Sequence, residues 1–203
     1  MNKMLVAYAT NSGTTAEVAK AVAEEIRKSG AQVDVLPVAE VGELASYSAV
    51  VLGAPMIMGW HPAALQFLRR HKAVLARLPL AVFTTCMSLT RFDGTAVDGV
   101  PVFVDEKLAV APRKAGRLTF KEGYAQVKNY LRPILKAAGP VKPVSAAFFG
   151  GRLDMYRLKW FQALFVMLVI QAKPGEQRNW EAIRAWAACL PPLLTNPDKE
   201  AMP

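Results

Sequence analysis

The chain has 203 residues, 53% of them hydrophobic, which suits one domain with a sizeable buried core, and 25 basic residues against 16 acidic ones leave a formal charge of +9. Its two cysteines, Cys86 and Cys189, exclude a disulfide framework and a thiolate metal site, so a reducing compartment is expected. The charge is uneven: residues 113–159 hold eleven basic side chains against two acidic ones, an excess equal to the whole net charge. Such a surface gathers anions. Nucleic acid, anionic lipid or an acidic small molecule would each answer to it, and so would solvated helix faces without a partner.

Met1, Asn2 and Lys3 run straight into the apolar stretch 4–9 with no charged, apolar and small-residue leader, so secretion is not expected. Residues 4–9 read as a strand and residues 14–28 as an amphipathic helix. Between them lies the loop Thr10, Asn11, Ser12, Gly13, Thr14 and Thr15. A helix N-terminus presents unpaired N–H groups and the positive end of the helix dipole, so this turn makes a cradle for an anion. Four hydroxyls stand in it and no Lys or Arg does. Neither the triphosphate pattern Gly-x-x-x-x-Gly-Lys-Ser/Thr nor the dinucleotide pattern Gly-x-Gly-x-x-Gly is present, which leaves a single phosphate monoester as the best ligand. The same residues would also serve an ordinary helix cap.

Thr10-x-Ser12-Gly13-x-Thr15 directly after the first strand resembles the flavodoxin phosphate loop. That resemblance implies FMN as the cofactor, with its phosphate on this loop.

After Gly30, residues 32–36 alternate as an edge-like strand, in which Asp34 reads as a solvated side chain, since no dinucleotide fingerprint accompanies it. Residues 41–46 make a short helix or turn, and the unbroken apolar run 49–54 reads as a strand buried on both faces of a parallel sheet. The loop that follows, Pro55, Met56, Ile57, Met58, Gly59, Trp60 and His61, is apolar and sits at the carboxyl end of a central strand, where open α/β sheets bind ligands. In flavodoxin-like proteins this loop covers one face of the isoalloxazine, and Trp60 or Met58 would stack there; the other reading is a loop buried under a neighbouring element. His61 reads as the residue that starts the next helix, 62–78, with Pro62 in its first turn, and proton transfer is the lesser reading of its imidazole.

Residues 80–85 form the fourth strand, and its loop, Cys86, Met87, Ser88, Leu89 and Thr90, falls on the same sheet edge as the first two. By the same resemblance it faces the second side of the flavin. Cys86 reads as a small core residue ending a buried strand rather than as a redox thiol. Residues 91–120 form an insertion broken by Gly94, Gly99 and Pro101, with a strand or β-excursion over 100–110 and the placement of a lid beside the flavin edge. A helix over 121–138, a stop at Gly139-Pro140 and a fifth strand over 144–149 follow.

The stretch after Gly150-Gly151 is basic and aromatic, and its apolar part, 164–170, is shorter than the roughly 20 residues of a membrane span. A helix over about 154–172 is expected. It would lie on an anionic membrane surface through Arg152, Arg157, Lys159 and Trp160, cover a hydrophobic pocket, or pack on its own domain. The last helix covers 179–190.

Gly150, Gly151, Arg152 and Leu153, then Tyr156, Arg157, Leu158, Lys159 and Trp160, then Trp180, resemble the menaquinone-dependent protoporphyrinogen oxidases of flavodoxin fold, over nearly the whole chain apart from about 92–120. The expectation is one flavodoxin-like α/β domain over residues 1–203. It is a three-layer sandwich whose five-stranded parallel sheet has the order 2-1-3-4-5, with helices on both faces, the insertion at about 91–120 and the extra helix at about 154–172. The resemblance implies an FMN-dependent oxidoreductase of heme biosynthesis that passes electrons from a tetrapyrrole-like substrate to a quinone, in the cytoplasm or peripherally on the cytoplasmic membrane face. Nucleic acid is not an expected partner. The flavin carries the chemistry, so no catalytic side chain or metal is assigned. An FMN electron carrier docking an acidic redox partner is the alternative, and a binding module that kept the fold and lost the flavin is a third reading.

Overall fold

A computed structural model describes residues 3–114, 116–153 and 175–195. The chain begins β1 (Lys3–Tyr8), α1 (Thr14–Arg27), β2 (Gln32–Pro37), β3 (Ala49–Pro55), α2 (Pro62–Arg70), α3 (Lys72–Leu75) and β4 (Leu80–Cys86). Short strands β5 (Leu89–Thr90), β6 (Ala96–Val97), β7 (Val100–Val104) and β8 (Ala109–Val110) follow. Then come α4 (Phe120–Tyr124), α5 (Val127–Ala138), β9 (Ser145–Gly150), β10 (Arg152–Leu153), β11 (Gly175–Glu176), α6 (Trp180–Ala188) and α7 (Leu190–Leu194).

Every residue of β3, β4 and β9 is buried, as strands covered on both faces must be. Alternate residues divide between two cores. Leu5, Val50, Leu52, Val82 and Phe148 pack with Phe67 and Leu68 of α2 and Leu131 and Ile134 of α5. Met4, Val6, Val51, Phe83 and Phe149 pack on the other face with Val18, Val22 and Ile26 of α1 and Ile183 and Trp186 of α6. Two helical layers thus enclose the sheet, the architecture of a flavodoxin-like α/β sandwich.

The strand order is β2-β1-β3-β4-β9-β7-β6. Its first five members are parallel and reproduce the expected 2-1-3-4-5. Among the described residues the sheet nevertheless has seven strands, because β7 of the insertion pairs in parallel with β9 and β6 pairs antiparallel with β7. The open edge of β9 would otherwise expose unpaired backbone groups, and Val102, Phe103 and Val104 supply partners for Ala146, Ala147 and Phe148. Buried Asp105 anchors the end of β7: its N–H donates to the Phe148 carbonyl at 3.0 Å and its Oδ1 accepts from Asn179 Nδ2 at 2.9 Å. This part of the insertion is therefore sheet, not lid.

Other boundaries also differ from expectation. The helix expected over 62–78 is α2 and α3, interrupted at His71, and that expected over 121–138 is α4 and α5, interrupted after Tyr124. Residues 41–46 take the turn of the two options. The last helix, expected over 179–190, is α6, and a second short helix, α7, follows it with Pro191 in its first turn. The helix expected at about 154–172, with Arg157, Lys159 and Trp160, lies outside the described residues, whereas Arg152 is in β10 and pairs across to Glu176 of β11.

Candidate functional site

β1 has β2 on one side and β3 on the other, so the connections leaving these strands diverge and a crevice opens at their carboxyl ends. The loop after β1 enters it. Gly13 N–H donates to Thr10 Oγ1 at 2.9 Å, and Gly13 holds a left-handed φ of 89° as the residue preceding α1. No side chain caps α1, so the ordinary helix-cap reading of Ser and Thr here is not realised and the first-turn amides take no side-chain cap. Thr14 and Thr15 are buried; Ser12 Oγ and Thr14 Oγ1 lie 3.2 Å apart, and Thr14 Oγ1 donates to the Arg152 carbonyl at 3.3 Å. Thr15 Oγ1 meets Thr85 Oγ1 of β4 at 2.9 Å.

The electrostatics favour an anion. Glu17, the acidic residue of the first turn, accepts from Arg178 Nη1 at 2.5 Å, which offsets part of its charge and draws it toward β11. Arg178 also reaches Glu176 Oε2 at 2.6 Å and lies 4.5 Å over the Trp180 ring. Its side chain is only 4% exposed, and the Glu176 and then Glu17 carboxylates hold its guanidinium above the usual arginine range. This clamp ties β11 to the start of α1.

One pocket gathers Thr10, Asn11, Ser12, Thr14 and Thr15 with Pro55, Met56 and Ile57 after β3, Cys86 and Met87 after β4, and Thr85, Gly151 and Arg152. Gly13 shapes the cradle through its backbone. The sequence reading omitted Thr85 and Gly151 and gave Arg152 to a membrane; the available signal was that Thr85 ends a strand at the edge bearing the other loops. Gly150 is glycine because a Cβ there would collide with the Gln177 backbone.

The loop after β3 differs from expectation at its aromatic residue. An antiparallel bridge between Met56 and Trp60 folds the loop back, and Trp60 is 2% exposed in the core with Phe67 and Leu89. Buried in this way, Trp60 presents no stacking face to the pocket, and the burial alternative holds for that side chain. Met58 is 53% exposed at φ 54°, and Gly59 completes the turn at φ 119°. Neither of these residues lines the pocket. Leu89 is also core, and the Ser88 carbonyl accepts from Tyr130 Oη at 3.1 Å.

Cys86 is buried, its thiol donating weakly to the Phe149 carbonyl at 3.8 Å, and burial pushes it up to about 12. That environment keeps it a neutral core thiol. His61 starts α2 by accepting from the Ala63 N–H on Nδ1 at 3.2 Å, and burial holds it below the usual histidine range. Among the described residues there is no cluster of three or more His, Cys, Asp or Glu suited to a metal ion.

The sequence model of the flavodoxin domain matches residues 5–179. The chain belongs to the flavodoxin domain family. Flavodoxins are themselves a type case of ligand binding at a sheet's switch point, and membership agrees with FMN as the cofactor and with an oxidoreductase of the FMN type. This flavodoxin-domain chain is also similar to the protoporphyrinogen IX dehydrogenase (quinone) of Escherichia coli K12, 24% identical over 206 residues, covering 96% of this chain and 98% of that one. Among solved structures it is similar to flavodoxin 1 of Bacillus cereus, at 15% identity and TM-score 0.47 over 84% of this chain and 98% of that one. A flavodoxin from Pseudomonas aeruginosa gives 13% identity and TM-score 0.48 over 96% and 99%.

The cradle fits the phosphate of FMN on its own chemistry. It offers N–H and O–H donors at a 14-residue helix start, and Gly13 is left-handed where the chain must turn.

Proposed function

We propose that this chain is an FMN-dependent oxidoreductase that takes electrons from a tetrapyrrole-like substrate and passes them to a quinone. The observation that carries the flavin part is the uncapped start of α1 beside the loops that follow β3 and β4. The finer part draws on the Escherichia coli relative, whose name gives protoporphyrinogen IX and a quinone.

In this reading the backbone of residues 11–15 and the hydroxyls of Thr10, Ser12, Thr14 and Thr15 hold the phosphate. Pro55, Met56 and Ile57 stand on one side of the ring, and Cys86 and Met87 on the other. Bound FMN supplies hydride and single-electron chemistry. The protein's part is to fix the cofactor through the Thr10 to Gly13 turn and the Thr15–Thr85 contact, and to keep water from its inner edge with the apolar loops. Among the described residues no helix is long and apolar enough to cross a membrane.

The electron-carrier reading keeps one observation in its favour, the concentration of the net positive charge in residues 113–159, which suits an acidic partner. The two readings part in one experiment. The full chain is mixed with FMN, desalted and examined by absorbance, and then given protoporphyrinogen IX and a soluble quinone without oxygen. Retained flavin with quinone-dependent substrate oxidation is expected. Retained flavin without oxidation would leave the carrier, and loss of flavin would overturn both.

A further inference from the structure

A second and larger cleft, of about 440 Å³, opens beside the first pocket. Its walls include Ser88, Leu89 and Thr90, which follow in sequence on Cys86 and Met87 of the first pocket, so a single loop separates the two. We propose that this cleft is the substrate site, and that it takes an apolar ring system bearing carboxylate arms. The proposal rests on the oxidoreductase reading above and adds to it where the substrate sits and which side chains select it.

The lining has two chemistries that belong together in such a ligand. Phe120 is 77% and Val110 67% exposed, and both line the cleft. Leaving large apolar side chains in water forgoes about 25 cal/mol for each Å² that burial would remove, so their placement together in a concave site calls for an apolar occupant. Arg113 and Lys121 line the same cleft, and among the described residues neither side chain forms a salt bridge. A purely apolar ligand would have no use for these cations, and a simple anion none for Phe120 and Val110. A ring with carboxylate arms uses both.

Glu122 is the acidic residue of the lining, and it is occupied in building the walls. Its Oε1 accepts from Arg113 N–H at 2.8 Å, and its Oε2 accepts from Thr119 N–H at 2.7 Å and Thr119 Oγ1 at 2.8 Å. These donors, the Thr119 N–H first, hold its carboxyl below the usual glutamate range. The rest of the lining is tied in as well. Thr90 Oγ1 donates to the Glu122 carbonyl at 2.7 Å, Thr90 N–H to the Ala125 carbonyl at 2.9 Å, and Arg91 N–H to the Val110 carbonyl at 2.8 Å. The cleft is thus held open by hydrogen bonds that leave its apolar and cationic side chains to a ligand.

Protoporphyrin IX and its dimethyl ester are suitable probes, titrated by fluorescence into the full chain loaded with FMN. The variants are Phe120→Ala and the double substitution Arg113→Glu with Lys121→Glu, each checked for fold by circular dichroism and for retained FMN. The double substitution is expected to weaken the free acid by about tenfold or more, as loss of charge-assisted hydrogen bonds does, while leaving the ester unchanged. Phe120→Ala is expected to weaken both probes with FMN retained. Free-acid binding that is unaltered in both variants would overturn the site, as would an FMN-loaded parent that binds neither porphyrin. A parent that retains no FMN would overturn the oxidoreductase reading itself, a distinct result.

Discussion

The hydroxyls of Thr15 and Thr85 meet at 2.9 Å in a buried contact that joins the first turn of α1 to the last turn of chain in β4, 70 residues away. Removing one hydroxyl leaves the other without a partner, which costs about 1–3 kcal/mol, whereas removing both leaves nothing unsatisfied. Thr15→Val and Thr85→Val are therefore each expected to lower the urea midpoint, and the double variant to recover most of the loss. A double variant as unstable as the sum of the two would show that the contact is not the cause.

Gly13 has open space around the position of a Cβ, with no atom within 4 Å, so its requirement is conformational. At φ 89° a β-branched residue costs about 1–2 kcal/mol or shifts the turn, and Asn tolerates the region better. Gly13→Val is expected to lose flavin on desalting while Gly13→Asn keeps most of it. Equal retention in the two would refute the role of this turn.

The two cysteines should separate cleanly. Cys86 is buried with its thiol pushed up to about 12, and Cys189 is exposed. Maleimide at pH 8 is expected to label Cys189 in the native chain and both in denaturant, read by mass spectrometry of the peptides. Rapid native labelling of Cys86 would contradict the packed strand end.

His61 carries a pH dependence. Its folded value is depressed by burial, and its Nδ1 must be unprotonated to accept from Ala63. The stability it contributes is therefore present above the unfolded histidine value and is lost as the pH falls through the folded value. His61→Ala is expected to cost about 1 kcal/mol at pH 8, the usual worth of a helix cap, with the difference from the parent shrinking toward pH 5. His61→Asn, which caps without titrating, should flatten that dependence. Denaturation at several pH values measures it, and a His61→Ala deficit that stays constant with pH would refute the link.

Much of the fold could be read directly because it is written in short-range patterns. The unbroken apolar runs of β3, β4 and β9 require burial on both faces, and the hydroxyl-rich turn around Gly13 declares a strand handing over to a helix. These properties depend on neighbours a few residues apart, so spacing alone marked the central strands and the helix that follows the first of them, and the resemblance of the first turn supplied their parallel arrangement. Pairings across long separations left no such mark. That β7 extends the sheet beyond β9, that Trp60 turns into the core, and that Arg178 crosses 161 residues to pair with Glu17 were decided by which surfaces met once the layers packed. A side chain's local sequence states what it can bond. Only the assembled sheet and helices, by exposing one backbone edge or burying one charge, decide which partner it finds.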